Sequence, residues 1–189
     1  MKKILLIGAT SLIGQCLINT AKAEIVYPDR KTIDLTDPKT IENFDYSNFD
    51  CLILVAGAGM SNGQMVNFNS MDQEYITNTI DVNCTGSTLL LQQYLKQNTE
   101  GSVVTIGSSA VYRTQTANVV YTASKVYVDR MIDILENIYK NTRFIRINPA
   151  KVSNRILHDE SYITPQQVAD GVWYCIENNI KKMDITYKK

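Results

Sequence analysis

The chain has 189 residues, with 19 acidic against 19 basic side chains. That length suits one domain with a proper core, and the balanced charge leaves neither a basic patch nor an acidic tail for a nucleic-acid partner. His158 is the only histidine, so a histidine-based triad or a histidine-rich metal site lacks material, and no segment is apolar enough to span a bilayer.

Lys3-Ile-Leu-Leu-Ile7 reads as a buried parallel strand that Gly8 ends. A helix over 12–22 follows. Gly8 allows a tight turn, Gly14 allows close packing of helix on sheet, and the N–H groups at the helix start attract a pyrophosphate. The middle glycine of the usual dinucleotide fingerprint is missing, with Ser11 or Leu12 in its place. A secretory leader could also begin with Met1-Lys2-Lys3 and end at Ala21-Lys22-Ala23. Cleavage there would remove the first strand and the phosphate loop, so a cytoplasmic chain is expected. The cysteines Cys16, Cys51, Cys84 and Cys175 are widely spaced, as reduced buried thiols would be.

The second strand is expected at 24–28. A carboxylate after it binds both ribose hydroxyls of an adenosine and repels a 2′-phosphate, whereas an arginine pairs with that phosphate. Asp29 and Arg30 stand side by side there, so NAD and NADP both remain open, with a lean to NAD because Asp29 is nearer the strand end. Tyr27 to Lys31 has a Tyr-x-x-x-Lys spacing, but Pro28 argues against a helix interior. Thr36-Asp37-Pro38 starts a helix over 38–44. Strands at 50–55, 102–107 and 142–147, with a last one at 184–187, alternate with helices at 71–97, 119–140 and 165–178. Thr164-Pro165-Gln166-Gln167 starts the last of these with a capping box. Alternation of this kind predicts an α/β fold with a doubly wound parallel sheet.

The most informative segment runs from Ser108 to Tyr121-Thr-Ala-Ser-Lys125. Tyr121 and Lys125 are four apart, so they share a helix face. An ammonium beside a phenol favours the phenolate, which a tyrosine needs in order to trade protons near neutral pH. Ser108, at the end of the 102–107 strand, brings a hydroxyl to the same edge.

Taken in order, these stretches resemble the short-chain dehydrogenase/reductase superfamily from Lys3 to about Asn179. The opening Gly8-Ala-Thr-Ser-Leu-Ile-Gly14 is similar to the loop of its extended branch, the sugar-nucleotide epimerases and dehydratases. Leu52-Ile-Leu-Val-Ala56-Gly57 resembles a family strand end, with Leu54 and Val55 for two asparagines. Val82-Asn83-Cys-Thr-Gly86, Ser108-Ser-Ala-Val-Tyr112, the full Tyr121-to-Lys125 motif and Asn148-Pro149-Ala150 complete the set. The chain is identified as a compact, atypical member with mixed signatures. Between strands two and three of the family, the helix is lost and the third strand is lost or vestigial, because 27–34 is too short for a crossover. The C-terminal region is shortened.

The resemblance implies one NAD(P)-binding Rossmann domain over 1–189 that carries the catalytic residues. Tyr121 is then the general acid/base, Lys125 its electrostatic partner and a ligand of the nicotinamide ribose, and Ser108 the anchor of the substrate oxygen. Ser109 competes for that last role. Asn83 holds a water that links Lys125 to solvent. Gly8, Thr10, Ser11, Leu12, Ile13 and Gly14 hold the dinucleotide. Asp29, Arg30, Asp34, Leu35, Ala56, Gly57, Pro149 and Val152 line the rest of its site, together with Tyr121 and Lys125. No metal is implied. The resemblance implies a carbonyl/alcohol oxidoreductase acting on a small molecule. Open alternatives are an epimerase or dehydratase with retained NAD and a non-catalytic dinucleotide-binding module. Arg155 and His158 are candidate anion contacts. Apolar residues on several faces of 71–97 and 119–140 imply a homodimer or homotetramer built on those helices.

Overall fold

The computed structural model describes residues 3–59, 66–112, 118–153 and 162–186. Six parallel strands form one sheet: β1 (Lys3–Ile7), β2 (Glu24–Val26), β3 (Cys51–Leu54), β4 (Ser102–Ile106), β5 (Arg143–Pro149) and β6 (Lys182–Ile185), in spatial order β2-β1-β3-β4-β5-β6. The helices are α1 (Leu12–Asn19), α2 (Pro38–Glu42), α3 (Gln73–Ile80), α4 (Ser87–Gln97), α5 (Val119–Ile138) and α6 (Pro165–Asn178). Strand order reverses at β1, whose neighbours are β2 and β3. A doubly wound sheet opens a ligand crevice at such a switch point, beyond the strand C-termini.

Strand residues alternate between two apolar layers, as the period of two requires. Ile4, Leu6, Ile53, Val104, Ile145 and Ile147 pack with Leu17 of α1 and with Val168, Val172 and Trp173 of α6. Leu5, Ile7, Leu52, Leu54, Val103 and Phe144 pack against Ile41, Leu90, Leu91, Tyr94 and Ile132 on the other face. Burying each Leu or Ile side chain stabilises the fold by about 1.5–3 kcal/mol before chain entropy is charged against it. The Trp173 indole N–H also donates to Thr20 Oγ1 at 3.0 Å, which fixes α6 on α1.

No strand lies between Val26 and Cys51. Residues 29–37 make successive turns instead. Asp29 Oδ1 accepts from Thr32 N and Thr32 Oγ1 at 3.0 and 2.8 Å, and Asp34 Oδ1 accepts from the same two groups of Thr36 at 2.9 and 2.8 Å. Asp37 then caps α2 through the Lys39 N–H. The family's crossover helix and third strand are therefore absent, as the short 27–34 stretch led us to expect, and the chain makes side-chain-capped turns in their place.

The helix expected over 71–97 differs from a plain α-helix. Between α3 and α4, residues Asp81–Gly86 form a π-helical segment. The Val82 carbonyl there also accepts from Ser87 Oγ at 3.1 Å. Gly86 permits the close contact with Leu35 there, since a Cβ would fall 2.1 Å from the Leu35 carbonyl oxygen. α5 is held on β5 by Arg146, whose guanidinium faces Asp129, Asp133 and Glu136 and bonds closely to Asp133. Burial opposes ionisation of Asp133, but the Arg146 hydrogen bond and charge outweigh it and hold the carboxyl below its ordinary range.

Candidate active site

The loop after β1 is built around two glycines that approach backbone. Gly8 has φ +102°, and a Cβ on it would meet Ala56 N at 2.4 Å. A Cβ on Gly14 would meet the Gly8 carbonyl oxygen at 2.3 Å. Ser11 joins them: its hydroxyl donates to the Gly8 carbonyl at 2.8 Å and accepts from Gly14 N at 3.0 Å as the N-cap of α1. So the serine in place of the middle glycine supplies the cap. Capping uses Gly14 N, while the N–H groups of Leu12 and Ile13, first in the helix, have no acceptor within the helix. This cradle fits a pyrophosphate at a helix N-terminus. Thr10 lies exposed on the rim of the turn.

Asp29 and Arg30 are both exposed, three and four residues beyond β2. Hydrogen bonds from the Thr32 hydroxyl and N–H hold the Asp29 carboxyl below its ordinary range. Asp34 is lowered chiefly by the Thr36 N–H. Leu35 is buried in the core layer beside Gly86. On the other flank, Val152 bridges to Ile163 just beyond Pro149, the last residue of β5. Arg155 and His158 lie outside the described residues.

Lys125 is the centre of the other end of the candidate site. Its residue is 8% exposed, and Nζ donates to the Ile106 carbonyl at 3.1 Å. Among the described residues no carboxylate lies within 4.0 Å of Nζ. A nearly buried cation without a counter-ion favours any anion or dipole that forms beside it. Tyr121 is such a neighbour, with Nζ 5.6 Å from its ring centroid. One helical turn brings the two together on α5, as their spacing requires. Gly57 lies beside the same ammonium; a Cβ there would be 3.2 Å from Nζ. Ser108 follows β4, and its Oγ accepts from Ala110 N at 3.1 Å. Ser109 begins the 3-10 turn Ser109–Tyr112.

Asn83 sits in the π-helical segment, buried. Its Oδ1 accepts from Ala58 N at 2.8 Å, and its Nδ2 donates to the Ala58 carbonyl at 2.7 Å and to Ser124 Oγ at 2.9 Å. Ser124 Oγ in turn donates to the Tyr121 carbonyl at 2.7 Å. The side chain therefore clasps the loop after β3 and ties it to the helix of Tyr121 and Lys125. Both donors of the side chain are thus spent on protein, while its oxygen, with one bond accepted here, keeps a second lone pair. A cavity of about 10 Å³ beside Asn83, Thr105, Ile106 and Lys125 has about the room of one water. Sequence reasoning singled out neither Tyr75 nor Asn118, and it met Ser124 only as part of the Tyr121-to-Lys125 motif. Asn118 has φ +55° and exchanges two hydrogen bonds with the Val66 backbone. These contacts join positions far apart in the chain.

A parallel sheet with a phosphate cradle at its switch point, and a tyrosine–lysine pair at the same edge, defines a dinucleotide-dependent α/β fold. The family model described as short chain dehydrogenase matches residues 30–160. That is well over half of the chain and includes Asn83, Ser108, Tyr121 and Lys125. The protein belongs to the short chain dehydrogenase family and is an NAD(P)-dependent oxidoreductase of that type. A search of curated proteins finds no match.

Solved structures share the fold at low identity. A short-chain dehydrogenase/reductase from Vibrio parahaemolyticus is 18% identical, with a TM-score of 0.82 over 98% of this chain and 100% of its own. A short chain dehydrogenase from Burkholderia cenocepacia in complex with NADP is 18% identical, with a TM-score of 0.83 over 97% and 87%. Serine dehydrogenase from Escherichia coli is 19% identical, with a TM-score of 0.80 over 97% and 96%. Among the described residues no helix is long and apolar enough to cross a membrane, and no group of acidic, cysteine or histidine side chains could hold a metal.

Proposed function

We propose that Tyr121, Lys125 and Ser108 carry out proton transfer at the oxygen of a small carbonyl or alcohol substrate. The observation that carries this reading is the nearly buried Lys125 ammonium, without a carboxylate partner among the described residues, beside the Tyr121 ring. The nicotinamide ring, when bound, supplies or takes the hydride. Tyr121 Oη gives a proton to the substrate oxygen in reduction and removes it in oxidation. Lys125 stabilises the phenolate left after donation and hydrogen-bonds the nicotinamide ribose. Ser108 Oγ donates to the substrate oxygen and stabilises charge that develops there. Gly8, Ser11, Leu12, Ile13 and Gly14 hold the pyrophosphate, and Ala56 and Gly57 border the path from it towards Lys125. Asn83 holds Ala58 and Ser124, and so keeps that border in register with α5.

For the cofactor, an NAD preference is supported by Asp29, whose carboxylate is kept ionised by Thr32 next to exposed Arg30. NADP is the second reading; it rests on Arg30 and on the NADP and NADPH complexes among the solved relatives. Calorimetry with NADH and NADPH decides between them. We expect NADH to bind tighter; a tenfold preference for NADPH, about 1.4 kcal/mol, would show that Arg30 prevails.

Reduction of an aldehyde and ketone panel, followed by loss of reduced-nicotinamide absorbance, tests the reaction class. Protein that purifies with NAD bound and turns over no panel member would instead favour the epimerase or dehydratase reading. Cofactor binding without any turnover would favour the binding module. A cytoplasmic location fits the cysteines, none of which forms a disulfide.

A homo-oligomer is supported by apolar side chains left at the surface: Val126, Tyr127, Ile134 and Ile138 of α5 and Ile76 and Ile80 of α3. A second copy packed on this face would cover them. Light scattering at micromolar concentration should give at least a dimer mass, and a monomer would reject the pairing.

A further inference from the structure

Gly59 lies in the loop after β3, which borders the proposed catalytic end, and two tyrosines converge on it. The Tyr121 ring rests against its backbone: a Cβ on Gly59 would lie 2.0 Å from Tyr121 Cδ2 and 2.8 Å from Cε2. Cε2 is two bonds from the hydroxyl oxygen, so this contact bears directly on where that oxygen sits. The Tyr75 hydroxyl donates to the Gly59 carbonyl at 3.0 Å, across 16 positions of sequence. Tyr75 stands in the first turn of α3, where Asp72 caps its own N–H at 2.7 Å. It is partly buried, and that burial raises the phenol above its ordinary value, which leaves it a proton donor throughout the neutral range.

Ahead of Gly59, the Asn83 side chain also holds the loop after β3. Asn83 takes both backbone groups of Ala58. Gly57 and Gly59 flank that residue, and glycine backbone has little restraint of its own. Fixing Ala58 therefore leaves the next peptide to be fixed by something else. We propose that Tyr75 is a positioning residue of this active site: its hydroxyl fixes the Gly59 carbonyl and thereby sets the resting place of the Tyr121 ring. The inference rests on the reading of Tyr121 as the general acid/base. Tyr75 acts through Gly59 and touches no reacting atom.

The test is Tyr75→Phe in the full chain, which keeps the ring and removes only the donor. Protein labelled with ¹³C-tyrosine, with the Tyr121 signal assigned by its loss in Tyr121→Phe, gives a readout that needs no substrate. In Tyr75→Phe the Tyr121 ring signal should shift or broaden. With a carbonyl substrate, kcat should fall about tenfold while KM and cofactor affinity stay within about twofold, since misplacing a reacting group by less than 1 Å affects the chemical step rather than binding. Tyr75→Leu, which also removes the ring, should show a similar kcat if the hydroxyl is what matters. An unchanged Tyr121 signal in Tyr75→Phe overturns the proposal. So does an unchanged kcat, because ring packing alone would then explain Tyr75. Wild-type protein that turns over no carbonyl or alcohol refutes the functional reading instead, and the Tyr121 signal still decides whether Tyr75 positions that ring.

Discussion

Tyr121→Phe should lower kcat by about 10²–10⁴ while fold and cofactor affinity survive, because it removes only the hydroxyl that exchanges the proton. The ring that packs on Gly59 and beside Lys125 remains. Two companions sharpen the measurement. Lys125→Met should damage rate and cofactor affinity together, since one ammonium serves the phenolate and the ribose. It also removes a nearly buried charge bonded to the Ile106 carbonyl, so its melting temperature must be measured alongside. Ser108→Ala should lower rate more than cofactor affinity, as expected of a group that acts on the substrate oxygen in the transition state. Turnover of Tyr121→Phe close to that of wild type would make Tyr121 a structural residue of α5.

Gly14→Ala should cost cofactor affinity more than tenfold, or about 1.4 kcal/mol. The added methyl would sit 2.3 Å from the Gly8 carbonyl oxygen and 2.8 Å from the Ala9 α-carbon. Both are backbone, so neither can swing aside as a flexible side chain would. The start of α1 must lift away from the loop, and the N–H groups of Leu12 and Ile13 lose their alignment on the pyrophosphate. The same shift strains the Ser11 cap, whose hydroxyl spans Gly8 and Gly14. Overpacking of this kind also costs about 1–3 kcal/mol of stability. Calorimetry on a variant shown to be folded by circular dichroism is the check. Unchanged affinity would place the pyrophosphate elsewhere.

Much of the fold was legible because its signals are local. An apolar run, a Gly-ended strand and a capped helix start each lie within a few residues, and all six strands and the main helices fall close to the expected ranges. The Tyr121–Lys125 pairing follows from helix periodicity alone. The shortfall after β2 could be read from length, since 27–34 cannot hold a crossover. Where the reading fell short, the cause is a contact between distant positions. The clasp of Asn83 on Ala58 and Ser124 was not foreseen. Nothing in the Asn83 neighbourhood of the sequence reports the π-helical segment in which this side chain sits, or the close approach of Leu35 to Gly86 within it.

By itself, then, the sequence determined which residues are chemically able to act: a phenol and an ammonium one turn apart, a hydroxyl at a strand end, and two glycines around a helix start. Periodicity and turn chemistry are properties of short segments, so they survive reading in one dimension. Tertiary structure decided what each group has left to offer after its neighbours are satisfied. It took Asn83 for the loop, left Lys125 without a carboxylate among the described residues, and brought Tyr75 to Gly59. The physical reason is that a buried polar atom must find its partner wherever the packed chain supplies one, and the separation of those partners along the sequence carries no weight in that choice.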